Sequence, residues 1–372
     1  MKPAIILWTL LFVTGAVAQE KMLPLNRPAP DAQNTWDIHY RELEPLLEKR
    51  LAETPDALDL LDELARIYRA QAKYDKAAEL YKHALDLREA ATGRLSTELV
   101  PTLENLARIY QLLKKYPDAE VLLARAIGIR EATQGPDHAD VATEYNALAR
   151  LFFVQRKFQE AEPLYVRAIQ ILEKNYGAAD AKLCPALDSL ASDYREESKF
   201  ALAEPLLRRS LIIRDIASGP VHAEVANALD SLASLYYALK RYADAQPLYE
   251  RSLQIWVQLL GPDHPLVATS LDNLAVVYAM LQKYPEAEQL YQRALAIRDA
   301  EDANSLHNLA LVEDGLNKPK DEEALYKRLI SLPLKDPKPP LLEYAELLRK
   351  MNRPLEADKM KKRAQAVGEK PK

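Results

Sequence analysis

The chain has 372 residues, of which 28% are charged, with a formal net charge of -5, nine glycines and a single cysteine, Cys184. One cysteine excludes an internal disulfide, and a small negative charge without a basic stripe gives no footing for nucleic-acid binding. Few glycines and many charges suit a helical protein.

The chain opens with Lys2, an apolar run from Ala4 to Val13 and an A-x-A end at Ala16, Val17 and Ala18. This is the layout of a secretory signal peptide over 1–18, so the mature protein is expected to begin at Gln19, exported to a bacterial periplasm. The run is too short to span a bilayer stably, so no membrane span is expected after cleavage. Residues 19–35, with Pro24, Pro28 and Pro30, show no periodicity and read as a flexible linker. From Trp36 the pattern turns helical. Glu44, Pro45 and Leu46 echo Glu162, Pro163 and Leu164, which marks residues 36–56 as a lone capping helix.

Residues 57–302 repeat with a period of 42: Gly93, Gly135, Gly177, Gly219 and Gly261 sit at one phase, so five of the nine glycines are explained by one recurring turn. Each of the six units has a first helix with leucine, leucine, alanine and an aromatic at i, i+3, i+4 and i+7, with Tyr145 replacing the first leucine in the third unit, one apolar face of a 3.6-residue helix. Its alanine recurs at Ala65, Ala107, Ala149, Ala191, Ala233 and Ala275. A second-helix alanine recurs at Ala77, Ala119, Ala161, Ala203, Ala245 and Ala287. Small residues at both phases let two antiparallel helices approach closely. Pro117 and Pro285 stand at second-helix starts, where a missing N–H costs nothing, and Pro163, Pro205 and Pro247 lie one turn later.

The unit Gly261-Pro262-Asp263-His264-Pro265, then Leu271 to Tyr278, then Tyr284, Ala287, Tyr291 and Ala294, resembles the tetratricopeptide repeat, in the long form of kinesin light chains. The resemblance covers roughly residues 57 to 300. It implies an all-α, right-handed superhelical solenoid of antiparallel helix pairs whose first helices line a concave face. The cytosolic location and the leading coiled coil of kinesin light chains have no counterpart here, so the resemblance carries the fold and not the motor. Past Asp302 the spacing shortens to 35, with Leu306, Leu309 and Ala310, and Glu322 replaces the crossing alanine. Residues 303–332 therefore read as a degenerate unit, 333–340 as a Pro-rich linker, and 341–372 as a terminal capping repeat with a basic tail of net +4.

No G-x-S-x-G, H-E-x-x-H, P-loop or C-x-x-C pattern occurs, so no catalytic residue, metal or cofactor is assigned. His138, His222 and His264 recur once per repeat before a helix, with Asp180 at the fourth place. Ligands on neighbouring repeats stand too far apart to meet at one zinc ion, so these residues are expected to cap helices, assisted by Asp137 and Asp263. Cys184 shares a phase with Ala142, Ala226 and Ala268 and reads as a buried structural thiol.

What remains is surface, and the expected function is a non-catalytic scaffold or adaptor holding an extended protein or peptide segment in the concave groove. The alternative is an assembly component of the cell envelope that uses the convex surface and the basic C-terminal helix. By the resemblance, the residue after each first-helix alanine points into the groove: Arg66, Arg108, Arg150, Ser192, Ser234, Val276 and Leu311. Phe153, Tyr237 and Met280 add apolar bulk, and Asn105, Asn273 and Asn308 match the family asparagine that holds a bound backbone. The implied ligand is acidic at one end and apolar or aromatic at the other. Asp62 and Glu104, four residues before Arg66 and Arg108, offer a competing use for those two arginines along their own helices. Arg150 follows Asn146 instead and is the least committed charge.

Overall fold

The computed structural model describes residues 43–298 and 302–367; the signal-peptide and linker readings over 1–35 lie outside them. Among the described residues every regular element is helical. The helices are α1 (43–53), α2 (Leu58–Ala70), α3 (Tyr74–Thr92), α4 (Val100–Leu112), α5 (Tyr116–Gln134), α6 (Ala139–Val154), α7 (Phe158–Tyr176), α8 (Cys184–Glu196) and α9 (Phe200–Ser218). They continue as α10 (Ala223–Ala238), α11 (Tyr242–Leu260), α12 (Pro265–Met280), α13 (Tyr284–Ile297), α14 (Ala303–Gly315), α15 (Pro319–Leu329), α16 (Lys338–Lys350) and α17 (Pro354–Ala366). The described residues divide into an amino-terminal unit ending at Ile213 and a carboxy-terminal unit beginning at Arg214.

Two turns alternate along the chain, and their backbone geometry explains the glycine pattern. The turn inside each pair is a Schellman motif. Lys73 N–H donates to Tyr68 O at 2.8 Å and Ala72 N–H to Arg69 O at 3.1 Å, with Ala72 left-handed at φ 59. Equivalent residues are Lys114, Arg156, Ser198, Lys240 and Gln282, all near φ 60, a region that any side chain can enter at modest cost. The basic residue that follows lies over an aromatic ring one turn back, as with Lys73 on Tyr68 at 5.5 Å and Lys283 on Tyr278 at 5.4 Å. Between pairs, by contrast, Gly135 sits at φ 94, ψ 153, a conformation essentially closed to residues with a Cβ. That is why glycine recurs there and nowhere else at fixed phase.

The amino-terminal unit buries Leu61, Leu103 and Leu187 on first helices and Tyr81, Leu123, Tyr165 and Leu207 on second helices, with every crossing alanine in it at most 3% exposed. α1 closes its end: Leu47 is buried, Glu44 holds Lys73 at 2.5 Å, and Tyr68 hydroxyl donates to Glu48. The carboxy-terminal unit repeats the scheme with Leu229 and Leu271 against Tyr249, Tyr291 and Tyr326. At the equivalent place on α17 stands Lys361, half-buried, so the second-helix face that receives the next pair elsewhere is here made polar.

The helices run through Pro163, Pro205 and Pro247 without a break. Pro339 and Pro340, expected in a linker over 333–340, instead fall in the first turn of α16, where a missing N–H removes no helical bond.

Candidate functional site

The helix starts are set by the loop histidines. His138 Nδ1 accepts from Asp140 N–H at 3.3 Å, His222 Nδ1 from Glu224 N–H at 3.3 Å, and His264 Nδ1 from Leu266 N–H at 3.1 Å. Asp180 caps the 3-10 turn Ala181–Leu183 in the same way at 2.9 Å. The expectation that Asp137 and Asp263 cap these helices is corrected. Each stands one residue ahead of the capping position, and Asp137 instead holds Arg167 at 2.8 Å and Lys174 at 2.5 Å. Cys184 is buried, its thiol 3.7 Å from Ser210 O, and among the described residues no histidine, cysteine and carboxylate cluster could hold a metal ion.

With the helix ends fixed, the residue after each crossing alanine falls on one face of each first helix. In the amino-terminal unit this face carries Arg66 and Arg108, both exposed, then half-buried Arg150 and Ser192. The ion pairs along the helix that would have occupied the first two arginines do not form. Among the described residues Arg66 Nε donates only to the backbone carbonyl of Asp62, at 3.3 Å. The Asp62 carboxylate is held by Arg88 on α3, which also reaches Thr102 on α4 at 2.8 Å. Glu104 turns to Glu144 on α6, whose carboxyl takes Arg130 Nε at 2.8 Å. Burial, and then the neighbouring Glu104, push Glu144 up to about 8. Among the described residues Arg150 makes no ion pair.

These contacts reveal a feature the sequence reading missed. Arg88, Arg130 and Arg298 occupy one second-helix phase, and each reaches the first helix of the following pair, at Thr102, Glu144 and Ser305. Arg88 and Arg298 also grip their own pair's first helix through Asp62 and Asp272. In the fifth pair the phase holds Trp256, and Asp230 is left beside Ser252 and Trp256, its carboxyl pushed up to about 7 by burial. The spacing of Arg88, Arg130, Arg214 and Arg298 by multiples of 42 was the available signal.

Other expected site residues are more engaged than their sequence phase implied. Asn105 is half-buried in the amino-terminal unit, and Phe153 packs edge-on against Phe158 at 5.8 Å. In the carboxy-terminal unit Tyr237 is buried against Tyr242 at 5.3 Å, which makes it a wall beneath the surface. Asn308 lies against the Tyr291 hydroxyl, while Asn273, Met280, Val276 and Leu311 are half-buried on the first-helix face. No described helix is long and apolar enough to cross a membrane.

A tetratricopeptide repeat family model matches residues 98–174, 182–246 and 224–300, more than half of the chain, and a second tetratricopeptide model matches 60–95. No curated protein matches by sequence. Among solved structures, BtubC (BKLC) from P. vanneervenii is 25% identical with a TM-score of 0.53, over 62% of this chain and 89% of that one. The kinesin light chain-type TPR-like repeats of Podosopora anserina are 24% identical with a TM-score of 0.50, over 55% and 96%. Yeast Tom70, 16% identical with a TM-score of 0.52, covers 91% of this chain and 61% of its own, and shares the fold.

Proposed function

Because the chain belongs to the tetratricopeptide repeat family, we propose that it is a non-catalytic, exported adaptor that holds an extended protein segment against its first-helix face. The family's fold serves as a scaffold for protein contacts, and one observation in the amino-terminal unit supports this use. Arg66, Arg108 and Arg150 stand in register on successive first helices, and the carboxylates closest in sequence are turned to other partners. A structural role for the column would have matched each guanidinium with a carboxylate.

First helices of neighbouring pairs lie roughly 10 Å apart and an extended chain rises about 3.3 Å per residue, so acidic residues at every third position meet successive arginines. The face of the carboxy-terminal unit, with Val276, Leu311 and Met280, suits apolar or aromatic residues. Export rests on Lys2, the apolar run to Val13 and the Ala16 to Ala18 end. Its check is the intact mass of the native protein, which begins at Gln19 if the reading holds and at Met1 if it fails.

Partner capture tests the binding surface. A photocrosslinking residue at Asn105 or Asn273 on first helices, compared with one at exposed Val121 or Gln254 on second helices, is used in the native cell envelope. Capture of the same protein from the first-helix positions alone supports the adaptor reading. Capture only from Val121 and Gln254 transfers the function to assembly through the outer surface.

A further inference from the structure

Two residues after the first-helix crossing alanine, the chain places a buried aliphatic side chain: Ile67, Ile109 and Leu151 in the first three pairs, Leu235 and Val277 in the fifth and sixth. The fourth pair carries Asp193 there. Its side chain is fully buried, and neither carboxylate oxygen has a hydrogen-bond partner. An ionised carboxylate taken out of water without a partner is costly, and such a group keeps its proton instead.

The charged and titratable groups facing Asp193 are Glu197 and Lys199 in the turn after α8, Tyr194 beside it on α8, and Glu162 and Tyr165 on α7. Lys199, the cation among them, is already claimed: its Nζ lies 2.9 Å from Glu197 and 3.7 Å from Glu162. Glu162 also accepts from the Tyr194 hydroxyl at 2.9 Å. Asp193 is thus buried beside two acids that share one lysine. Burial first, then Glu197 and Glu162, push it up to about 7.

We propose that the joint between α7 and α8 is proton-gated: it closes around a neutral Asp193 carboxylic acid and loosens as that carboxyl gives up its proton to solvent. In the opened joint the carboxyl meets water and titrates near the ordinary value of about 4. Between that value and neutrality the opened form has shed a proton that the closed form keeps, so the opening equilibrium rises with pH by at most about tenfold per unit. Above neutrality both forms are ionised and the rise stops. Acid tightens the joint, and neutral pH relaxes it.

The test is hydrogen–deuterium exchange on the full chain at pH 5 and pH 7, corrected for the intrinsic exchange rate, read separately over α8 and over α2 and α3. In the wild type, protection of α8 falls by about ten- to fiftyfold between the two conditions while α2 and α3 hold theirs. Asp193→Leu installs the side-chain type of the other pairs and abolishes the fall. Asp193→Asn, which cannot ionise, abolishes it as well whatever its stability. The proposal is overturned by a fall that persists in both variants, by a wild type whose α8 protection does not change, or by an equal fall in α2 and α3.

Discussion

Gly135→Ala and Gly128→Ala make the same chemical change in surroundings that are equally empty, and the structure assigns them opposite signs. A Cβ built on either glycine meets no heavy atom within 4 Å, so neither substitution is decided by packing. Gly128 lies exposed within α5, where alanine is favoured over glycine by about 0.5 to 1 kcal/mol through the smaller entropy lost on folding. Gly135 is held at φ 94, ψ 153 by two hydrogen bonds, its own N–H to Glu131 O at 3.0 Å and its carbonyl to His138 N–H at 3.2 Å. Alanine there either adopts a backbone conformation that costs about 1 to 3 kcal/mol or gives up those bonds. The expected gap between the variants is therefore about 1.5 to 4 kcal/mol, read by urea unfolding followed by far-UV circular dichroism. At about 2 to 4 °C per kcal/mol for chains of a few hundred residues, thermal melts resolve it as well. A Gly135→Ala variant as stable as Gly128→Ala would refute the account of why glycine recurs between pairs.

Ala233 is fully buried at the crossing of α10 with its partner helix, so Ala233→Leu overpacks the contact and lowers stability by about 1 to 3 kcal/mol in urea unfolding. An unshifted midpoint would mean that the helices do not cross there. Glu144 keeps its proton to about 8 in the folded chain and titrates in the ordinary carboxylate range when unfolded. Its contribution is therefore greatest in acid and declines as pH rises toward 8, and Glu144→Gln flattens that part of the stability profile measured from pH 5 to 8. Parallel profiles for the two proteins would exclude the buried Glu144 carboxyl as the cause.

The pairing of helices was legible because the constraints on it are strict: the crossings at Ala65 and Ala77 are fully buried and take a small side chain, and the φ and ψ of Gly135 favour glycine. The loop histidines were legible as caps because spacing ruled out a shared metal. The intra-pair turn was less visible, since its left-handed residue is alanine, lysine, arginine, serine or glutamine in turn and leaves no mark on composition. Charge partners were the least legible. Asp62 and Glu104 stand at the right spacing for Arg66 and Arg108, but pairs across helices to Arg88 and Glu144 replace those exposed contacts, which are worth only a few tenths of a kcal/mol. Asp137 was misplaced by one residue, enough to move it from a helix cap to the side chains of Arg167 and Lys174. Tyr237 matched a surface phase, yet Tyr242 covers it, a contact between helices that no single-helix pattern contains.

Calorimetry with a synthetic peptide bearing glutamate at every third position tests the arginine column most directly. The wild type binds this peptide, and binding weakens as salt is raised because the contacts are exposed charges. Arg150→Ala lowers the affinity by about two- to fivefold, the scale of one surface ion pair, and the Arg66, Arg108 and Arg150 triple alanine variant lowers it further. Triple-variant binding equal to wild type, with Phe153→Ala and Tyr237→Ala also without effect on the captured partner, would contradict the first-helix face as the site.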